Sequence, residues 1–185
     1  MSSPARPQAE GSVRIATPDD AETIARIQAQ ALRLHYSALL PAAAIDEFDL
    51  AAATNGWTTA ISSPPSRRHR VFVAVDPTGV VGFGACAPAT DADLNPERDA
   101  ELPALHVAPG QTRLGHGSRL MAAIVDHAHD DGIDRLVMWV FASDDPMRMF
   151  LRDNGWEPDR STRDLDVGEL LRQVRMHTGI SDPLT

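Results

Sequence analysis

The segment Val107-Ala-Pro-Gly-Gln-Thr-Arg-Leu-Gly-His-Gly-Ser118 gives the clearest indication of the fold, because it lies between a strand pattern and a helix pattern. Before it, residues 101–107 have the pattern of a strand, and Pro103 cannot donate a ladder hydrogen bond there, so we expect a bulged or partly unpaired strand. After it, residues 115–132 repeat apolar side chains at helical spacing, and residues 135–141 form a near-continuous apolar strand. A strand, a helix and a strand in this order predict a parallel pair with a right-handed crossover.

Two glycines make this segment a candidate anion-binding loop. Gly115 and Gly117 remove side chains where the backbone would approach a ligand, and they allow amide N–H groups to point towards the start of the helix. Arg113, and after it Arg119, can add charge-assisted hydrogen bonds to a phosphate. A tight turn without a ligand explains the glycines equally well. The segment has neither the lysine of a P-loop nor the third glycine of a dinucleotide fingerprint.

The rest of the chain predicts one α/β (α+β) domain, without an internal repeat or a linker. Further strand patterns lie at residues 13–16, 70–75 and 80–86, and short ones lie around residues 163–166 and 171–176. Helical patterns lie at residues 17–34, from Pro41 through Ile45, Phe48 and Leu50, around Trp57, and at residues 145–155. A chain of 185 residues holds one core and is too short for two ordinary domains. We therefore expect a single domain at residues 13–178, with tails at residues 1–12 and 179–185.

Composition narrows the classes of function. The formal net charge of −9 opposes nucleic-acid binding, which rests on clustered Lys and Arg. The single cysteine, Cys86, lies in an apolar run and can form neither an internal disulfide nor a thiolate metal site, so we expect no metal. The apolar stretches are too short to span a membrane, and residues 1–12 lack the apolar segment of a secretory signal. We therefore expect a cytoplasmic protein with no membrane partner.

Three segments resemble the GNAT superfamily of N-acetyltransferases. Residues 107–118 are similar to its coenzyme A loop, Gln/Arg-x-x-Gly-x-Gly/Ala after a strand ending in V-x-P. Phe150-Leu-Arg-Asp-Asn-Gly-Trp156 resembles its F-Y-E-x-x-G-F segment, and Tyr36-Ser-Ala-Leu-Leu-Pro41 its Y-x-G-L-L-P segment. The resemblance spans roughly residues 13–178. It implies a mixed sheet of about seven strands with flanking helices, two parallel strands that splay apart, and transfer of an acetyl group from acetyl-CoA to an amine.

The resemblance also implies where acetyl-CoA binds. The pantetheine arm would bond like an added strand to the edge formed by Leu105, His106 and Val107, and a backbone N–H near Val107 would meet the oxyanion. Asp144 stands where relatives often carry an asparagine near the pantetheine, and its alternative role is to cap the following helix. The pyrophosphate would be held by the loop residues Thr112, Arg113, Leu114, Gly115, His116, Gly117 and Ser118.

Two positions depart from the pattern of the family. Thr112 stands where Gln or Arg is usual, so a neighbouring side chain would have to supply one of the contacts to the pyrophosphate. Leu151 stands in place of the tyrosine that protonates the leaving thiolate in many members, and water, Ser143 or His116 would have to substitute for it. For the His116 side chain itself, we expect a surface or phosphate-facing position before a role as the acid.

The reaction needs a base, because an alkylammonium with a pKa of about 10.4 must lose a proton before it can attack. Glu101 is our candidate, since it lies at the start of the irregular strand, where the resemblance places a glutamate that faces the acceptor. A solvated strand end is the alternative interpretation of Glu101, and Asp99 is the alternative base.

The acceptor pocket is expected from the N-terminal helices. Tyr36 and Trp57 are candidate wall residues, and they are equally well explained as core aromatics. The acceptor itself stays open between a small-molecule amine and a peptide, and a homodimer is possible. A non-catalytic coenzyme A-binding sensor or structural module is the alternative function, which Leu151 and Thr112 would suit. A nucleotide-binding regulatory domain is disfavoured because the P-loop lysine is missing.

Overall fold

The computed structural model of the protein describes residues 11–181, in which seven strands form one sheet. The strands are β1 Ser12–Ile15, β2 Arg70–Asp76, β3 Gly79–Pro88, β4 Asp99–Val107, β5 Arg135–Phe141, β6 Glu157–Asp166 and β7 Leu170–Gly179. The helices are α1 Ala21–Leu34, α2 Ala42–Asp46, α3 Leu50–Ser62, α4 His116–Asp130 and α5 Asp145–Asp153. None of these helices is long and apolar enough to cross a membrane. The expected tails, residues 1–12 and 179–185, lie largely outside the described residues, although Ser12 and Gly179 already belong to β1 and β7.

The strand order is β1-β2-β3-β4-β5-β7-β6, and the sheet is mixed. Every neighbouring pair is antiparallel except β4 and β5, which run parallel and are connected through α4. The predicted strand, helix and strand around residues 107–118 are therefore confirmed, and so is the mixed α/β sheet of seven strands with flanking helices.

Two elements differ from the sequence-based predictions. The helical stretch expected from Pro41 through Leu50 is shorter, because α2 ends at Asp46. Asp49 instead begins a new helix, since its carboxylate accepts the N–H groups at the start of α3. The two last strands are longer than expected, with ten residues each, and their pairing shifts register between Pro158 and Thr162. Most of β6 is solvent-exposed, so its sequence lacks the apolar alternation that marks a half-buried strand.

The core lies on both faces of the sheet. On one face, α4 and α5 pack fully buried side chains, including Leu120, Ile124 and Leu151, onto Phe72 and Leu136. On the other face, α1 supplies Ile24 and Ile27, which pack on Val73 and Phe83. Burial of each apolar side chain of this size contributes about 1.5–3 kcal/mol to the stability of the folded state, so the packing on both faces holds the strands in place.

β4 changes partners along its length. Its pairing with β5 covers only Asp99 to Glu101 and ends at the pair Glu101–Val137. Its pairing with β3 shifts register near Pro103, which confirms the irregularity expected at that residue. Beyond Glu101 the two parallel strands diverge, and we call the gap between residues 102–107 of β4 and residues 138–141 of β5 the splay.

A salt bridge closes the base of the splay. The Asp99 carboxylate accepts two hydrogen bonds from Arg135, from Nε at 2.9 Å and from Nη2 at 3.0 Å. The backbone N–H of Asn95 donates a third, at 2.7 Å to Oδ2. The Arg135 guanidinium is the main cause that holds the pKa of Asp99 below its ordinary value. This pair fixes the point at which the two parallel strands come together.

We expect Asp99→Asn to lower the free energy of unfolding by about 1–3 kcal/mol in urea denaturation at pH 7. The variant leaves the Arg135 guanidinium without its counter-charge. Because Arg135 is partly exposed, solvent screens its charge and makes the loss of stability smaller. Asp164→Asn is the matched control, because its ion pair with Arg172 lies at an exposed surface and should matter less. Equal losses in the two variants would contradict a special role for the Asp99 pair.

The same pair sets a pH dependence. Folding lowers the pKa of Asp99. Its contribution to the free energy of unfolding is therefore fully present above the pKa of the carboxyl in the unfolded chain, and it is lost as the pH falls through the pKa in the folded protein. The difference in stability between the wild type and Asp99→Asn should therefore shrink in acid. A difference that stays constant from neutral pH into acid would contradict this.

Candidate active site

The loop before α4 presents free backbone N–H groups. Gly115 has φ +86° and directly precedes α4, and Arg113 adopts a φ of +65° two residues earlier. The first hydrogen bond of the helix runs from the Arg119 N–H to the Gly115 carbonyl, at 3.0 Å. The N–H groups of His116, Gly117 and Ser118 are thus left outside the helical ladder. Such a helix start attracts an anion, as the sequence predicted for this loop.

The side chain of His116 does not face the loop surface. It is 1% exposed, and its Nδ1 lies 3.2 Å from Nη2 of Arg119, while its Nε2 has no partner among the described residues. Burial is the main cause that lowers the pKa of His116 and keeps the ring neutral. The expected surface or phosphate-facing side chain is therefore wrong. A buried ring beside Gly11 is also not placed to donate a proton to a bound thiolate.

Gly117 packs against an aromatic ring of α5. A Cβ atom on Gly117 would lie 3.3 Å from Cζ of Phe150 and 3.8 Å from Cγ2 of Val107. The glycine is thus already needed for the packing of α4 against α5, whether or not a ligand binds. Gly115, with its positive φ, is the glycine that shapes the loop itself.

The backbone of β4 faces the splay at alternate residues. The Ala108 N–H donates to the Val81 carbonyl at 2.8 Å, and the His106 carbonyl points towards Gly82, so both face β3. Because the backbone of a strand alternates, Leu105 and Val107 direct their N–H and C=O groups to the other side, where β5 has diverged. Of the three predicted edge residues, Leu105 and Val107 are therefore available to an added strand, whereas the backbone of His106 is not.

Tyr36 reaches across the splay from the connection between α1 and α2. Its ring centroid lies 6.1 Å from that of His106 on β4 and 5.9 Å from that of Phe141 on β5. Burial, together with the negative charge of Asp144, raises the pKa of Tyr36, so its hydroxyl stays protonated. Burial also lowers the pKa of His106 to about 4, so this ring is neutral at physiological pH. These rings make this part of the splay aromatic.

Trp57 belongs to the core. Its ring centroid lies 5.1 Å from that of Phe83, and its Nε1–H donates to Oε1 of Gln28 on α1 at 2.9 Å. Both ends of the indole are thus occupied between α3, α1 and the sheet. The structure favours the core interpretation of Trp57 over the pocket wall.

Asp144 and Leu151 both have structural roles. Oδ1 of Asp144 accepts the Met147 N–H at 3.1 Å, which confirms the capping alternative for this residue. Contact of Asp144 with a pantetheine stays a prediction. Leu151 is fully buried in the core, so it offers no proton donor at the usual tyrosine position, and Ser143, one residue before the cap, is exposed.

Glu101 lies where the splay opens. It is the last residue of β4 that pairs with β5, its side chain is half-buried, and it has no hydrogen bond or ion pair with the residues that the structure describes. Burial is the main cause that raises the pKa of Glu101 above its ordinary value; the charge of Asp91 adds to this, while those of Arg163 and Arg175 oppose it. An unpartnered carboxylate of raised pKa suits a general base. Asp99, in contrast, is engaged by Arg135, and its lowered pKa disfavours it as the alternative base.

A network of charged residues on the face of Glu101 was missed by the sequence analysis. Arg175 of β7 is 3% exposed and forms ion pairs with Asp91, Asp93 and Asp159. The Trp139 Nε1–H also donates to Oδ2 of Asp91, at 3.0 Å. The network ties the start of the acidic loop between β3 and β4 to β5, β6 and β7. An available signal was the position of Arg175 between the apolar residues at 174 and 176, where a charge requires partners.

Comparison of the structure with solved proteins shows the same fold over nearly the whole chain. An N-acetyltransferase from Staphylococcus aureus Mu50 has a TM-score of 0.74 and 15% identity, over 94% of this chain and 100% of that chain. The yncA protein from Salmonella typhimurium, solved with its cofactor acetyl-CoA, has a TM-score of 0.71 and 16% identity, over 96% and 98%. A ribosomal-protein-alanine N-acetyltransferase from Brucella melitensis has a TM-score of 0.70 and 20% identity, over 90% and 98%.

Comparison of the sequence identifies the family. No curated protein sequence matches the chain. Residues 31–156 match the family model described as Acetyltransferase (GNAT) family, and this range is more than half of the chain. It includes Tyr36, Glu101, the splay and the loop before α4. The chain therefore belongs to the GNAT family of acetyltransferases.

Proposed function

We propose that the protein transfers the acetyl group of acetyl-CoA to a primary amine of a small molecule or peptide. The observation that carries this proposal is the splay, in which the unpaired backbone of Leu105 and Val107 lies between an anion-binding helix start and the unpartnered carboxylate of Glu101. The N-acetyltransferases among the structural neighbours, and the neighbour solved with acetyl-CoA, support it.

Acetyl-CoA fits the groups that the loop and β4 expose. The N–H groups of residues 116–118, at the positive end of the α4 dipole, would hold the pyrophosphate. The exposed side chains of Thr112, Arg113 and Ser118 lie on the same loop, and the half-buried Leu114 completes it. Leu105 and Val107 would bond to the pantetheine amides, as an edge strand bonds to an added strand. Acetyl-CoA then supplies the acetyl group as a thioester.

Glu101 would prepare the amine for attack. An alkylammonium is attracted by the carboxylate and must lose its proton, directly or through a water molecule. The raised pKa of Glu101 brings its basicity closer to that of an amine, whose pKa is about 10.4. At neutral pH the carboxylate is thus able both to bind the cation and to accept the proton.

The departing thiolate would need little help from the protein. A thiol has a pKa of about 8.5, so water is able to supply the proton. Tyr36 is the only tyrosine of the chain, and its protonated hydroxyl can donate a hydrogen bond close to the splay. Its raised pKa makes it a poor source of the proton itself, so this role falls to water or to the exposed Ser143.

We also propose that the protein is cytoplasmic. The one cysteine, Cys86, is buried and unoxidised, and burial raises the pKa of its thiol to about 12. A thiol in that state has no role in the transfer reaction and is typical of a protein from a reducing compartment.

Substitution of the proposed base is the direct test of the reaction. We expect Glu101→Gln to lower kcat/KM about 100-fold in a free-thiol release assay with an amine acceptor, because the amine loses its proton acceptor. Acetyl-CoA affinity measured by calorimetry should stay unchanged. In the wild type, the rate should fall as the pH falls through the raised pKa of Glu101, and this limb should be absent from the variant.

The control for this test is Glu97→Gln, which removes an exposed carboxylate from the loop before β4. It should leave both the rate and the pH profile unchanged. A normal pH profile in Glu101→Gln would return Glu101 to a structural role. Tight binding of acetyl-CoA without thiol release from any acceptor would favour the alternative of a sensor or structural module.

The loop can be tested at Gly115. We expect Gly115→Ala to weaken acetyl-CoA binding about tenfold in calorimetry, since an alanine at φ +86° costs about 1–2 kcal/mol and the loop would rearrange. Gly110→Ala is the matched control, because no atom lies within 4 Å of a Cβ at that position. Equal affinity in both variants would remove the loop from the cofactor site. Gly117 is unsuitable for this test, because any side chain there meets Phe150.

A further inference from the structure

Arg163 lies on the face of the sheet that carries Glu101. Its Cζ is 4.4 Å from the centroid of the Trp139 ring, and its Nε–H donates to Oε1 of Gln173 at 2.7 Å. Its two terminal nitrogens have no hydrogen-bond partner among residues 11–181. The indole and the amide therefore hold the guanidinium in place while its outer donors stay free.

The two arginines on this face differ in their charge balance. Arg175 is surrounded by three carboxylates, so the network around it carries no spare positive charge. Arg163 forms no ion pair with a described residue, and its charge acts on Glu101, which also has no partner. Arg163 and Glu101 thus each lack an ion pair with a described residue, and they lie within electrostatic range of each other beside an Arg175 network that is net negative.

An amine with a single charge would satisfy only one of these groups. The ammonium of an acceptor pairs with Glu101, and Arg163 is then left with two outward donors that match the two oxygens of a carboxylate. The carboxylates of Asp91, Asp93 and Asp159 already accept hydrogen bonds from Arg175, whereas the carboxylate of Glu101 has no partner among the described residues. A zwitterion complements both free charges at once.

We infer that the acceptor is a free amino acid, whose amine meets Glu101 and whose carboxylate is bound by Arg163. This inference rests on the proposed function, and it makes Arg163 a residue that determines specificity. Trp139 and Gln173 orient the guanidinium in advance, so little side-chain freedom is lost when the carboxylate binds. The α-amine at the start of a peptide has no carboxylate next to it and lacks this contact.

The test compares amino acids with the same amines lacking the carboxylate. Thiol release is measured for phenylalanine against phenylethylamine, alanine against ethylamine, and γ-aminobutyrate against propylamine. In the wild type, we expect kcat/KM to be at least about tenfold higher for one or more of the amino acids than for the matching amine. Arg163→Gln should remove this preference by lowering the amino-acid value, and should change the amine value less than about twofold.

Two further variants make the result specific. Arg163→Lys keeps the charge without the planar fork and should restore part of the preference. Arg172→Gln removes an exposed arginine that pairs with Asp164 in the same hairpin, and it should leave the preference unchanged. Circular dichroism and the midpoint of urea unfolding show that Arg163→Gln remains folded.

The outcomes separate this inference from the proposed function. If simple amines are acetylated as well as the amino acids, or if Arg163→Gln lowers both values equally, the inference is overturned and the acetylation of amines stands. If acetyl-CoA binds and neither amines nor amino acids release thiol, the proposed function fails and the inference fails with it.

Discussion

The end of pairing between β4 and β5 is the constraint on which the rest of the structure depends. Two parallel strands that separate within a sheet leave backbone donors and acceptors without partners, and such groups are costly unless water or a ligand meets them. Here the separation begins at Glu101, just above the salt bridge between Asp99 and Arg135 and beside the irregularity at Pro103. The gap is thus held at a defined place by packing and charge on both sides.

The helix start before the gap and the carboxylate of Glu101 are positioned by elements on different faces of the sheet. On one face, α4 and α5 pack against each other through Gly117 and Phe150, which sets the position of the start of α4. At the splay itself, Tyr36 lies against His106 and Phe141, and the loop held by Arg175 lies on the face of the sheet that carries Glu101. A donor and an acceptor are thereby able to approach the same opening from opposite sides without competing for one entrance.

Much of this arrangement could be predicted from the sequence, because its signals are local. The spacing from Val107 to the α4 stripe, and the proline in β4, are short-range patterns that determine strand, turn and helix. The burial of His116 and the position of Trp57 depend on which helix covers which strand, and no local pattern contains that information. Arg175 and Asp91 are 84 residues apart in the chain, so no local pattern could identify Asp91 as the partner of Arg175.

The anchoring of the acidic loop by Arg175 has a consequence for the order of folding. The loop follows β3, whereas its anchor lies in the last strand of the sheet, so the contact closes a long segment of chain and carries a large entropic cost. During synthesis, the acidic loop would leave the ribosome well before the strand that neutralises it. The wall beside Glu101 is therefore among the last parts of the protein to take shape, and a chain truncated within β7 would have a donor site without a finished acceptor site.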